Sequence, residues 1–153
     1  MQMHHVMRKL GAGLVLLVGL CAGATHAAGQ VVSIQGKTVN MRSAPSPHAQ
    51  VLWQLGSGYP LQVTGRKGSW LHVVDFEGDK GWVARRLTST TPHAIVKARR
   101  ANLRSGPGTG YRLLGQAAYG DVMRVLDKRP SWVKVKADDG RRGWMARSLL
   151  WGD

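Results

Sequence analysis

An all-β fold is expected for this chain: two small antiparallel barrels in tandem, each of about 60 residues, joined by a short linker. The first observation behind this is a repeat. Asn40-Met41-Arg42-Ser43-Ala44-Pro45 returns 62 residues later as Asn102-Leu103-Arg104-Ser105-Gly106-Pro107. The correspondence runs to Leu87 and Leu149 without an insertion, with about a third of the paired positions identical, so the chain is a tandem duplication. The second is punctuation: 20 glycines and 6 prolines divide short apolar runs, and no long helical period interrupts them. The third is size. Two copies within 153 residues leave each near the lower limit for one hydrophobic core. The single cysteine, Cys21, excludes an internal disulfide or a cysteine-bound zinc as a staple.

Taken in order, residues 1–27 read as a secretory signal peptide. Arg8-Lys9 precede the apolar run Leu10–Ala24, and Thr25-His26-Ala27 offers the small residues that a signal peptidase reads. The run falls short of the ~20 apolar residues that a membrane span needs. Leu20 stands where lipid attachment at Cys21 wants a small residue. The mature chain is expected to begin near Ala28, in the periplasm or outside the cell, without spanning a membrane.

The first barrel is expected over residues 28–90 and the second over 93–153. Val31–Ile34 and its copy Ala94–Val96 open each repeat as a strand, and Thr38–Arg42 follows. Ser43–Pro47 and its copy Ser105–Gly110 cannot continue a strand, because proline fixes φ and lacks a donor, so they form an irregular loop. Val51–Leu55, Pro60–Gly65, Trp70–Val74 and Gly81–Val83 complete the strands, with Val122–Leu126 and Trp132–Lys136 among their copies. Arg85–Leu87 reads as a single helical turn. Glu77-Gly78 and Asp139-Gly140 read as tight hairpin turns, type I′ being the geometry that Asp-Gly favours. Thr88–Pro92, five polar residues ending in proline, make a short and stiff linker.

Asn-x-Arg-Ser-x-Pro, Ser-Trp-x-x-Val and Gly-x-x-Gly-Trp-x-Ala-Arg-x-Leu occur in both copies, and together they resemble the bacterial SH3-like (SH3b) domain family. The second copy is the more similar, with Gly106 and Gly108 where the first has Ala44 and Ser46. The resemblance implies two tandem small SH3-like barrels. It also implies a place among cell-wall-targeting modules, appendages of peptidoglycan hydrolases and stand-alone exported proteins.

Charge narrows the partner. The chain has 22 Lys and Arg against 8 Asp and Glu, and residues 28–153 carry a net +12. Such a balance suits an anionic polymer: nucleic acid, lipid headgroups or acidic envelope glycans. The alternative is a merely solvated basic surface. An export signal disfavours nucleic acid.

Nothing in the sequence assembles into a catalytic site, and no catalytic residue, cofactor or metal ligand is assigned. His48, His72 and His93 are scattered singly, and Asp75, Glu77, Asp79, Asp138 and Asp139 sit in turns. Gly106–Gly110 lacks the Gly-Lys-Ser/Thr ending of a phosphate loop. Arg42 and Arg104, with Asn40 and Asn102, are expected to fix the loops that follow them. Trp82 and Trp144 are expected to fill the cores. Trp70 and Trp132 differ. Alternation from Val133 and Val135 places Trp132 with Lys134 and Lys136 on the opposite face, and Trp70 with His72. The competing reading is that bent barrel strands bury both faces.

The candidate groove is Trp70, Trp132, Arg104, Arg112, Lys134 and Pro107. It points to a non-enzymatic exported module that binds peptidoglycan peptide or another anionic wall polymer. A periplasmic adaptor for a cell-wall enzyme, taking an extended peptide on the same surface, is the alternative.

Overall fold

The computed structural model describes residues 29–153, and the expected signal peptide lies outside them. In the first repeat seven strands form one antiparallel sheet: β1 (Val31–Ile34), β2 (Thr38–Arg42), β3 (Val51–Gly56), β4 (Pro60–Lys67), β5 (Trp70–Val74), β6 (Lys80–Ala84) and β7 (Thr88–Ser89). Their order is β3-β2-β6-β5-β4-β1-β7. The second repeat gives β8 (His93–Val96), β9 (Arg100–Arg104), β10 (Leu113–Ala118), β11 (Val122–Lys128), β12 (Trp132–Lys136), β13 (Arg142–Ala146) and β14 (Leu150–Trp151), in the same order. A 3₁₀ turn, Arg85–Leu87 or Arg147–Leu149, leads into the last strand of each. The protein is two tandem SH3-like barrels.

The registers repeat at the sequence offset. Trp70 pairs Ala84 as Trp132 pairs Ala146, and Arg42 pairs Trp82 as Arg104 pairs Trp144. A bulge between Val63 and Gly65 recurs between Val125 and Asp127. Each core is the inward half of an alternating pattern. Leu71 and Val73 on β5, and Val133 and Val135 on β12, are buried, while their neighbours face outward.

One pair of positions shows how the copies compensate each other. Trp53, partly buried, packs against the first core at the site where the second barrel has Gly115. The Arg141 guanidinium lies over Gly115, in space a side chain there would need, and the first barrel has the shorter Asp79 at the position of Arg141.

Three expectations are corrected. Trp82, half-buried, is not a core filler, and Trp144, though buried as expected, stands outside the core cluster. Gly81 and Val83, or Gly143 and Met145, take the inward positions, so the tryptophan between them points out. Glycine is needed there because a Cβ on Gly81 would meet Met41 at 2.6 Å, and one on Gly143 would meet the Arg104 carbonyl at 2.7 Å. The hairpin turns are not type I′, which demands positive φ at two central residues. Only the glycines have it among the described residues, Gly78 at 89° and Gly140 at 86°. Thr88-Ser89 are not linker but strand, pairing Ile34 and Ser33. Ser33 Oγ also donates to the Thr91 carbonyl at 2.7 Å, tying the connection down further.

The two barrels share an interface. On β14, β8 and β11, Trp151, Ile95 and Val122 are cross-strand neighbours, and all three pack with the core of the first barrel. The first-barrel equivalents, Ser89, Ser33 and Pro60, lack such large apolar groups. Phe76 stacks at a tilt on Tyr119, with centroids 5.3 Å apart, and the Tyr119 hydroxyl donates to Glu77 Oε1 at 2.6 Å. That hydrogen bond, with partial burial, pushes the Tyr119 hydroxyl up to about 12.

Behind Phe76 lies a buried acid. Asp75 is 4% exposed, its Oδ1 accepting the N–H groups of Glu77 and Asp79 at 2.9 Å and its Oδ2 the Tyr59 hydroxyl at 3.1 Å. Burial raises its carboxyl above the ordinary range and outweighs these bonds. A raised folded-state pKa means that the folded protein holds the proton more tightly than the unfolded chain. Asp75 therefore contributes most stability below the unfolded-chain pKa and loses it as pH rises through the folded value. Asp75→Asn is expected to flatten that decline in urea midpoints measured across the acid-to-neutral range. An unchanged pH dependence would assign it to other groups.

Candidate functional site

The outward positions of the sheets form one row per barrel. In the second it runs Leu113–Arg104–Trp144–Lys134 across β10, β9, β13 and β12, each residue directly opposite the next. In the first, Val51–Arg42–Trp82–His72 stand at the corresponding places. Directly opposed side chains on one face of a sheet touch, so each row is a tryptophan flanked by two side chains able to carry positive charge.

The details differ between barrels. Trp82 is half-buried, and the His72 ring packs on it with centroids 4.8 Å apart. Thr64 Oγ1 lies 2.7 Å from His72 Nδ1 and fixes the ring from the other side. Trp144 is 9% exposed and carries the Arg129 guanidinium 5.8 Å from its ring centroid, a cation–π contact.

Arg42 and Arg104 are loop clamps as well as members of these rows. Arg42 Nη1 donates to the Ala49 carbonyl at 2.8 Å, and Arg104 Nη1 to the Tyr111 carbonyl at 3.0 Å. Asn40 and Asn102 instead accept from Gln54 and Gln116 on the edge strands.

Of the six candidate residues, the fold brings Trp132, Lys134 and Arg104 onto one face of the second barrel. Trp132 and Lys134 are both half-buried. Trp70 occupies the equivalent place on the first barrel and is also half-buried. Pro107 and Arg112 stay exposed on the loop after β9, where the Arg112 carbonyl accepts the Ser105 N–H at 2.9 Å. Trp82, Trp144 and Tyr111 are additional members that sequence reasoning missed. The sequence signal of the first two is weak, because their inward neighbours Gly81 and Gly143 carry no apolar side chain to mark the face. Tyr111, 52% exposed, lies against the backbone of Gly106 and Gly108, where the first barrel has Ala49 against Ala44 and Ser46.

The carboxylates of Asp75, Glu77 and Asp79 converge within 4.8 Å. Asp75 is committed to Tyr59 and the turn's own N–H groups, so this cluster is accounted for as turn chemistry.

Models of the bacterial SH3 domain match residues 35–90 and 99–150, one on each barrel. The chain is a tandem of bacterial SH3 domains. A Bacillus subtilis (strain 168) protein named as an N-acetylmuramoyl-L-alanine amidase, YrvJ, is 30% identical over 129 residues. The match covers 74% of this SH3 tandem and 25% of that protein, so the chain spans about a quarter of its relative's length. Among solved structures, NlpC2 from Trichomonas vaginalis aligns at a TM-score of 0.39 with 12% identity, over 84% of this chain and 50% of that one. An NlpC/P60 family protein from Bacillus cereus ATCC 10987 aligns at 0.36 with 15% identity, over 79% and 55%.

Proposed function

We propose that the tandem is a non-catalytic, exported module that binds the bacterial cell wall, with peptidoglycan or an associated anionic polymer as its ligand. The observation that carries this reading is the outward row of each barrel, an aromatic ring between two basic or titratable side chains. Trp132 or Trp70 stands one position along the same face. The half-buried Trp132 and Trp70 give a sugar or peptide an apolar platform, the nearly enclosed Trp144 supports its row from beside them, and flanking cations take the ligand's carboxylates. Bacterial SH3 domains and a relative named for a cell-wall amidase agree with a place at the wall. The basic run, apolar stretch and Thr25-His26-Ala27 agree with export and a mature start near Ala28. Among the described residues no helix is long and apolar enough to cross a membrane.

Pelleting with purified peptidoglycan tests this directly. The protein is expected to co-sediment, with binding that weakens as salt screens the cationic part of the contact. Protein left in the supernatant at low salt would sink the reading.

A further inference from the structure

On the second barrel, three neighbouring strands set like charges side by side. Arg124 on β11 stands opposite Lys136 on β12, and Lys136 opposite Arg142 on β13. All three point outward, since Met123, Val125, Val135 and Gly143 fill the alternate, buried positions. His93 extends the row beyond Arg124. The parallel row places Lys134 on the same face, outside the ladder, with Asp127 opposite it on β11.

Opposed residues of a sheet hold their Cβ atoms about 4.5–5.5 Å apart, and like charges at that distance work against the fold. No acid relieves the ladder, because none of its members forms a salt bridge among the described residues. Asp127 pairs with Arg129, Asp139 with Arg141 and Asp153 with Arg147. Nor does the architecture require it. The first barrel builds the same register with Val31, Gln62, Val74 and Lys80 at these places, a single cation.

We propose that Arg124, Lys136 and Arg142 form a binding site for a linear polyanion, a chain of phosphate or carboxylate groups lying across the strands. Strands are about 4.8 Å apart, so three cations in register present a track of roughly 10 Å. Arginine grips an oxyanion with two parallel hydrogen bonds, and lysine between them supplies a mobile point charge. The site deepens the wall-binding reading by assigning the polyanion to the second barrel. It rests on that reading only for where the polymer is met.

The test titrates the full chain with long-chain inorganic polyphosphate and, separately, with polygalacturonate, following tryptophan fluorescence at several salt concentrations. Wild type is expected to bind at least one of them with steep salt dependence, the preferred polymer naming phosphate or carboxylate as the source. Lys136→Gln should weaken that binding about tenfold, the worth of one charge-assisted contact, and lower the salt slope by about one. Its melting temperature should hold or rise, because a repulsion has been removed. Lys80→Gln on the first barrel should leave binding unchanged.

Binding by Lys136→Gln equal to wild type would overturn the proposal. So would a lowered melting temperature of that variant. Lys136-dependent binding of polyanion without binding of peptidoglycan would remove the tryptophan-row reading and leave this one standing. Peptidoglycan binding without polyanion binding would do the reverse.

Discussion

Replacing Ile95 by alanine is expected to cost about 2–5 kcal/mol and to break one unfolding transition into two. Ile95 lies on β8 between Ala94 and Val96, whose side chains enter the second core. Alternation turns Ile95 the other way, and it is nonetheless 0% exposed because the first barrel covers it. Domains of about 60 residues bury too little surface to be robust alone, so the shared apolar row should make the pair melt as one. Calorimetry should show a single wild-type transition and two in Ile95→Ala. Tyr119→Phe, which removes only the hydrogen bond to Glu77, should cost about 0.5–1.5 kcal/mol and keep one transition. A single transition surviving Ile95→Ala would mean that the barrels are coupled elsewhere.

The fold was readable because its signals are local. Alternation in Trp132–Lys136 and proline-broken loops each report on a few adjacent residues, and the ungapped repeat needs only two stretches of chain laid side by side. The loop-clamping arginines were readable for the same reason, since a polar side chain just before an irregular loop has that loop's carbonyls within reach.

Two things were not readable. The face of Trp82 and Trp144 depends on Gly81 and Gly143 being the inward residues, and glycine carries no apolar signal to say so. A tryptophan beside a glycine then passes for core. The interface row and the basic ladder depend on cross-strand register, which joins Trp151 to Ile95 and Arg124 to Arg142 over long stretches of chain. No window of sequence contains them.

The places where the two copies disagree carry the information that their common fold does not. Ser89, Ser33 and Pro60 against Trp151, Ile95 and Val122 build the interface. Gln62 and Val74 against Arg124 and Lys136 build the ladder. Shared positions such as Asn40, Arg42, Gly81 and Trp82 maintain the barrel and the outward row. Duplication thus lets one copy keep a neutral face while the other concentrates charge.

Trp144→Ala and Trp132→Ala should separate stability from recognition. Trp144 is nearly enclosed between Arg104, Lys134 and the Arg129 guanidinium, so truncation should destabilise by about 3–5 kcal/mol, a large fraction of what so small a barrel has. Trp132 is half-buried at the end of β12 opposite Ala146, and its removal leaves a smaller hole. If it meets ligand, Trp132→Ala should weaken peptidoglycan binding about 30-fold, the loss of 2 kcal/mol typical of an aromatic hot spot. Its melting temperature should fall less than that of Trp144→Ala. Trp132→Phe, which keeps a ring, should recover much of the affinity. Thermal melts and pelleting assays on the same preparations decide between the roles. Equal loss of stability in both alanine variants, with binding lost only in proportion to unfolding, would make Trp132 a structural residue and move the ligand site elsewhere on the sheet.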